Sequence, residues 1–157
     1  MPIIIRHMNT KQDVEDFLSS KTIGVVGLSR DLASFSVMAS RQLKAGGYSL
    51  VGITPTAAEI DGIPCHPTLK DLPAKPDGLV FFTQPAVTEQ VIRQAAELGI
   101  RHNWIQVGAE NKAVVEYCAA QDLPAVTGKC IMMFAEPIKS IHGFHRWVTK
   151  VTGGLPK

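Results

Sequence analysis

Short apolar runs alternate with segments of helical periodicity along most of the chain, and this alternation restricts the fold more than any other feature. Five runs have the length of buried strands, at positions 22–26, 49–53, 78–82, 102–107 and 124–127. Strands that alternate with helices form a parallel sheet with helices on both faces, joined by right-handed crossovers. The sequence therefore predicts a doubly wound α/β domain whose five-stranded, mostly parallel sheet has the order 3-2-1-4-5.

Capping residues and apolar spacing predict where the helices lie. Asn9 or Thr10 can cap a first helix, and Gly46 and Gly47 end a second one. The predicted helices span 11–19, 35–45, 85–98 and 111–121. A proline-rich stretch from 54 to 76 has room for a short strand at 63–66 and a helical turn near Leu69.

The C-terminal tail has the pattern of one more helix, at 138–151. Its apolar positions form a single stripe: Ile141, Phe144, Val148 and Val151. The expected organisation is one domain at 1–137 and a helical tail at 138–157. The tail packs on its own domain, or it forms a contact with a second copy or with a partner enzyme subunit.

The composition excludes several classes of protein. The 157 residues are 45% apolar and 19% charged, which is typical of one globular domain. The chain has no apolar run of about 18 residues, no pattern of a signal peptide and no basic block. Its three cysteines and its histidines lack metal-site spacing. We therefore expect a cytoplasmic protein without a nucleic-acid, membrane or metal partner.

The residues that follow the predicted strands indicate where a ligand binds, because such sheets bind ligands at the carboxyl ends of their strands. Those positions are small, hydroxylic or basic: Gly27, Ser29, Arg30, Thr54, Pro55, Thr56, Thr83, Gln84, Pro85, Gly108, Lys129 and Cys130. The set contains no carboxylate pair, no histidine cluster and no Ser-His-Asp arrangement. We expect no catalytic residues here, and the prediction is a binding site.

The first loop, in KTIGVVGLSRDLASFS, favours a phosphorylated ligand. It departs from the dinucleotide fingerprint, because Ser29 and Leu32 stand where the second and third glycines belong. Ser34 or Ser36 can cap the next helix, whose free N–H groups and positive dipole end attract an anion. Arg30 adds a positive charge. No acidic residue follows the second strand to hold the ribose of NAD.

Five short motifs, taken together in their order and spacing, resemble the stand-alone CoA-binding domain proteins. They are VVGLSRD at 25–31, Thr54-Pro55, Thr83-Gln84-Pro85, WIQVG at 104–108 and GKCIM at 128–132. These proteins are similar to the nucleotide-binding domain of the succinyl-CoA synthetase alpha subunit. The resemblance covers roughly residues 15–135 and implies a Rossmann-like fold that binds coenzyme A across the strand ends.

The resemblance also implies a role for each motif. Gly27, Leu28, Ser29 and Arg30 would approach the phosphates. Thr54, Pro55 and Thr56 would lie near the ribose that carries the 3′-phosphate, and Thr83, Gln84 and Pro85 near the adenosine. Two positions differ from the family pattern, since Thr56 replaces a frequent lysine and the strand-three turn lacks a frequent arginine.

Three functions follow as hypotheses. The first is a protein that binds coenzyme A or acyl-CoA and has no catalytic groups of its own. The second is a subunit of an enzyme that uses acyl-CoA, and the third is a dinucleotide-binding redox sensor. Cys130 is either a small core residue or the neighbour of a ligand thiol.

Overall fold

The computed structural model describes residues 9–134. This part of the chain contains four helices: α1 Lys11–Leu18, α2 Phe35–Ala45, α3 Pro85–Glu97 and α4 Lys112–Ala120. The strands are β1 Thr22–Val26, β2 Ser49–Ile53, β3 Glu59–Ile60, β4 Ile63–His66, β5 Gly78–Phe81, β6 His102–Ile105 and β7 Ala125–Thr127. Short 3-10 helices lie at Leu69–Asp71 and Ile131–Met133. The short strand and the helical turn predicted in the proline-rich stretch are both present.

The sheet differs from the prediction in strand number and in strand order. It has seven strands in the order β3-β4-β2-β1-β5-β6-β7, and five had been expected as 3-2-1-4-5. Neighbouring strands are parallel except for the β3–β4 hairpin at one edge. β4 takes the place beside β2, so β5 pairs with the opposite side of β1. The prediction was wrong because it left the short β4 out of the sheet and gave its position to β5.

Local signals explain where the helices begin. Thr10 accepts a hydrogen bond from the N–H of Asp13, and the Asp13 side chain accepts one from the N–H of Thr10, which closes a capping box. Ser34 caps α2, and Asn111 caps α4. Pro85 occupies the first turn of α3, where a missing N–H has no cost.

The helices cover both faces of the sheet. On one face, Val14 and Phe17 of α1 and Val37 of α2 belong to the same buried cluster as Val25 of β1. On the other face, the buried residues include Ile92 of α3, Val114 of α4, and Leu79 and Phe81 of β5. Strands covered on both faces are apolar throughout, which is why the central runs lack an alternating pattern.

Some predictions fall on residues that the structure does not describe. The helical tail at 138–157 and the domain boundary beside it lie outside the described residues. Between residues 9 and 134, no helix is long and apolar enough to cross a membrane. The same range holds no group of three or more His, Cys, Asp or Glu side chains placed to bind a metal ion.

Candidate functional site

A cleft of about 730 Å³ opens where the strand order reverses. The chain leaves β1 toward β2 on one side, and it returns on the other side as β5. The loops after these two strands therefore diverge and leave a crevice at their carboxyl ends. This position is where sequence reasoning expected a ligand, although it rested on a different strand order.

Gly27 is the first residue of the turn after β1. Its φ is +85°, and a Cβ atom at this position would lie 2.7 Å from Thr83 Cγ2 and 3.3 Å from the backbone N of Thr83. The Gly27 N–H donates to the Ile53 carbonyl at 3.1 Å, which ties the turn to the end of β2. Position 27 therefore requires glycine for its conformation and for the close approach of two loops.

A network of serine hydroxyls shapes the loop between β1 and α2. The N–H of Ser29 donates to Ser36 Oγ at 3.0 Å, and the N–H of Asp31 donates to Ser29 Oγ at 3.0 Å. Ser34 Oγ lies 3.2 Å from Ser36 Oγ and accepts from the N–H of Val37 at 3.4 Å. These bonds hold the loop in one conformation against the first turn of α2.

The start of α2 presents backbone donors at the cleft. No residue from 9 to 134 accepts a hydrogen bond from the N–H groups of Phe35 and Ser36, because the side-chain cap satisfies only Val37. Free N–H groups at the start of an 11-residue helix favour an anion.

The side chains of the cleft combine apolar and hydroxyl groups. The rings of Phe35 and Phe82 meet edge to face with centroids 5.9 Å apart. The hydroxyls of Thr83 and Thr88 are 2.7 Å apart, and Gln84 stands exposed at the start of α3. Such a wall suits a ligand with both a flat apolar group and polar atoms.

Gln106 and Cys130 complete the cleft on the side of β6. Gln106 is only 7% exposed, and its Oε1 accepts from the N–H of Ile131 at 2.9 Å. Trp104 fixes the same segment, since its Nε1–H donates to the Lys129 carbonyl at 3.0 Å. All the side chains that line the cleft in the described range are uncharged. The arrangement can therefore bind an anion through backbone N–H groups and hydroxyls, without an ion pair in its wall.

The CoA binding domain family has a sequence profile that matches residues 21–136. The chain belongs to the CoA-binding domain family. The match begins just before β1 and runs past the second 3-10 helix, so it includes every element that lines the cleft. The family resemblance that the five motifs indicated is confirmed.

Relatives of this CoA-binding domain include free-standing proteins and larger enzymes. It is 25% identical over 123 residues to the uncharacterized protein YneT of Bacillus subtilis, with 78% of this chain and 91% of that protein covered. It is 24% identical over 94 residues to the acetate–CoA ligase [ADP-forming] II of Archaeoglobus fulgidus, which covers 59% of this chain but only 14% of the ligase.

A solved structure also shares the fold. A conserved hypothetical protein from Pyrococcus furiosus superposes with a TM-score of 0.67 at 29% identity. The superposition covers 71% of this chain and 97% of that one. The two proteins therefore share the α/β architecture over nearly the whole length of the Pyrococcus furiosus chain.

The structure brings eight of the fifteen predicted site residues together in the cleft of this CoA-binding domain. They are Gly27, Ser29, Ser34, Ser36, Thr83, Gln84, Gly108 and Cys130. The remaining seven do not line it: Leu28, Arg30, Thr54, Pro55, Thr56, Pro85 and Lys129. Their part in ligand binding, like that of the eight, stays a prediction.

These seven residues differ in what they offer to a ligand. The Leu28 side chain is 2% exposed and packs in the core, while Arg30 is exposed on the loop. Thr54 is buried, and its hydroxyl lies 3.0 Å from that of Thr56. Lys129 is half-buried. The positive charges therefore flank the cleft without lining its wall.

Sequence reasoning missed five residues of the wall: Phe35, Phe82, Gln106, Val107 and Ala109. Gln106 was overlooked because strand 102–107 was predicted too long; β6 ends at Ile105, so Gln106 is the first residue beyond it. A polar glutamine that interrupts the apolar run Trp104-Ile105-Gln106-Val107 was the available signal.

A second cavity, of about 670 Å³, lies at the amino ends of the strands. Asp77 in its wall accepts from the N–H groups of Lys21 and Thr22 at 2.9 and 3.1 Å, which holds the pKa of that carboxyl below its usual range. These bonds fasten the start of β1 to the segment before β5. The candidate site is the cleft at the carboxyl ends, because parallel α/β sheets bind their ligands at that edge.

The three cysteines should differ in reactivity, which tests the placement of Cys130. Burial raises the pKa of Cys118 to about 11 and also raises the pKa of Cys65, so both thiols stay protonated and inaccessible. Cys130 is half-buried at the cleft. We expect iodoacetamide at about pH 8 to alkylate Cys130 at least about tenfold faster than the other two. Peptide mapping by mass spectrometry measures this, and equal labelling of Cys118 would contradict the placement.

Proposed function

We propose that the cleft binds coenzyme A or an acyl-CoA, and that the chain does so without catalytic groups of its own. One observation carries the proposal. In a chain of the CoA-binding domain family, the Gly27 turn and the unpaired N–H groups of Phe35 and Ser36 face a neutral cleft at the point where the strand order reverses. Phosphate is the anion that such a turn and helix start suit best.

The proposed pose runs across the strand ends. The phosphates lie over the backbone of Gly27, Leu28 and Ser29, with Arg30 nearby. Leu28 contributes only its backbone in this pose, because its side chain is buried. Thr83, Gln84 and Pro85 lie on the adenosine side, with the ring of Phe82 available for stacking.

The ribose that carries the 3′-phosphate is proposed to meet Thr54, Pro55 and Thr56. Pro55 and Thr56 are exposed, and the N–H of Thr54 is already bonded to the His66 carbonyl at 2.9 Å. These residues can supply hydroxyls but no charge. The contribution of the 3′-phosphate to affinity is therefore expected to be small.

Two observations bear on the partner and the cellular compartment of this protein. The ligase relative suggests an alternative, in which the chain is a subunit of an enzyme that uses acyl-CoA and a partner subunit supplies the catalytic groups. A homodimer is the other assembly that we consider. Three free cysteines support a cytoplasmic setting, where thiols stay reduced. The redox-sensor alternative gains no support, because no carboxylate lies at Thr54-Pro55-Thr56 to hold the ribose of NAD.

A thermal-shift series tests the ligand class. A ligand that binds only the folded state at a hundredfold excess over its Kd stabilises that state by about 2.7 kcal/mol, which raises the unfolding midpoint by roughly 5–11 °C. We expect this shift for CoA, a slightly smaller shift for dephospho-CoA and little shift for NAD. The full chain without affinity tag should be used, so that only the protein responds.

The controls use the parts of the ligand. Pantetheine alone should give almost no shift, because it lacks the phosphates that the Gly27 turn is proposed to bind. A larger shift with NAD than with CoA would overturn the proposed function and favour the redox sensor. No shift with any nucleotide would overturn both.

A further inference from the structure

Gln106 and Cys130 are neighbours in the cleft wall although they are far apart in sequence. The N–H of Ile131, the residue after Cys130, donates to Gln106 Oε1 at 2.9 Å. Both residues line the cleft. We call this pair the Gln106–Cys130 wall.

Gln106 is held at three points and keeps one donor group free. Its backbone N–H donates to the Phe81 carbonyl at 3.2 Å, and its carbonyl accepts from the N–H of Ala109 at 2.9 Å. Because the Ile131 N–H needs an acceptor, the third bond assigns Oε1, and Nε2 is left to face the cleft. No residue between 9 and 134 accepts from Nε2, which is open to solvent at the cleft although Gln106 as a whole is only 7% exposed.

A fixed amide donor that is open to the cleft and has no protein acceptor can donate to a ligand. Because the bond to the Ile131 N–H already holds the side chain, its donor loses little conformational freedom when it meets a ligand carbonyl. The pantetheine arm of CoA ends in an amide whose nitrogen is joined to the sulfur by a two-carbon chain, so its carbonyl oxygen and its sulfur are only a few bonds apart. A ligand whose terminal amide accepts from Gln106 therefore brings its sulfur close to Cys130.

We propose that Cys130 is a thiol–disulfide exchange site for CoA disulfides, with Gln106 as the residue that positions the pantetheine arm. The proposal rests on the proposed function, since it requires that the cleft bind the nucleotide part of the ligand. It assigns a covalent, reversible modification to Cys130 alone, because Cys65 and Cys118 are buried away from the cleft.

The exchange is balanced in atoms and electrons. Cys130 loses its proton to water, and its thiolate attacks one sulfur of the CoA disulfide. The Cys130 Sγ–S bond forms as the disulfide of the ligand breaks, and the released CoA thiolate takes up a proton. The disulfide is the oxidant, so no further redox partner is needed, and the product is Cys130 in a mixed disulfide with CoA.

The test incubates the reduced full chain with CoA disulfide or with glutathione disulfide and follows the adducts by intact-mass spectrometry. We expect a mass increase of one CoA less two hydrogen atoms, mapped to Cys130 and absent in Cys130→Ser. Binding through the nucleotide should make this exchange at least about tenfold faster than exchange with glutathione disulfide. Equal rates for the two disulfides, or an adduct mainly on Cys65 or Cys118, would overturn the proposal.

Two further arms separate the steps. Adenosine 3′,5′-bisphosphate, which has the nucleotide part but no thiol, should slow only the reaction with CoA disulfide. Gln106→Glu keeps the acceptor for Ile131 and removes the donor, so the rate ratio between the two disulfides should fall toward one. An unchanged ratio would remove Gln106 from the proposal.

Calorimetry with CoA in the presence of a phosphine reductant measures the noncovalent step by itself. Binding without preferential exchange would overturn the exchange site and leave the proposed function standing. No binding would overturn the proposed function itself.

Discussion

Gly27→Val is expected to abolish CoA binding, with a loss of affinity of at least about 100-fold, or roughly 3 kcal/mol. A β-branched residue is strained at a φ of +85°, and its Cβ would lie 2.7 Å from Thr83 Cγ2. The side chain would also fill the space over the turn where the phosphates are proposed to lie. Isothermal titration calorimetry with CoA measures the loss, and circular dichroism checks that the sheet still forms.

Gly47→Val is the matched control for this variant. Gly47 also has a positive φ, of +97°, but a Cβ there meets nothing within 4 Å. Both variants should lose about 1–2 kcal/mol of stability from backbone strain, and Gly27→Val should lose more because its Cβ also clashes with Thr83. Only Gly27→Val should lose the ligand. Equal CoA affinity in the two variants would show that the ligand does not approach the Gly27 turn.

Trp104→Ala is expected to give the largest loss of stability, about 3–5 kcal/mol, which lowers the unfolding midpoint by roughly 6–20 °C. Trp104 is completely buried. Its ring packs against Phe17 and Phe134 at centroid distances of 5.3 and 5.2 Å. Truncation would leave a large cavity on the face of the sheet covered by α1. Thermal unfolding followed by circular dichroism gives the midpoint.

Trp104→Phe separates packing from the hydrogen bond. It retains most of the aromatic volume but leaves the Lys129 carbonyl without its donor from Nε1. We expect a loss of about 1–3 kcal/mol, the cost of leaving a partly buried acceptor without its donor. If Trp104→Ala unfolded at the same temperature as Trp104→Phe, packing of the indole would not be the main contribution.

Trp104 also connects stability to the site. It lies in β6 two residues before Gln106, and it holds the segment that carries Cys130. Trp104→Phe should therefore also lower the ratio between the rates at which Cys130 reacts with CoA disulfide and with glutathione disulfide.

Much of this fold could be predicted from local patterns. The apolar runs located five of the seven strands, and the caps at Thr10 and Ser34 located the starts of two helices. The sequence Val25-Val26-Gly27 indicated a strand that ends in a turn with unusual backbone conformation. Such features depend on neighbours within a few residues, so the sequence alone determines them.

The order of the strands in the sheet could not be predicted from local sequence patterns. Periodicity reports that a strand is buried on both faces, but it does not report which strand lies beside it. The short β4 pairs with β2 through only two residue pairs, so its own sequence gave a weak signal. Yet its place beside β2 moves β5 to the other side of β1 and fixes where the cleft opens.

The sequence and the tertiary structure each determined part of the composition of the cleft. By sequence alone, the polar residues after each strand were candidates, and the motifs pointed to the family. Only the tertiary structure decided that Leu28 turns into the core, that Arg30 and Lys129 flank the wall, and that Gln106 lies inside it. The physical reason is that these outcomes depend on contacts between distant segments, such as Gln106 with Ile131, which no local pattern encodes.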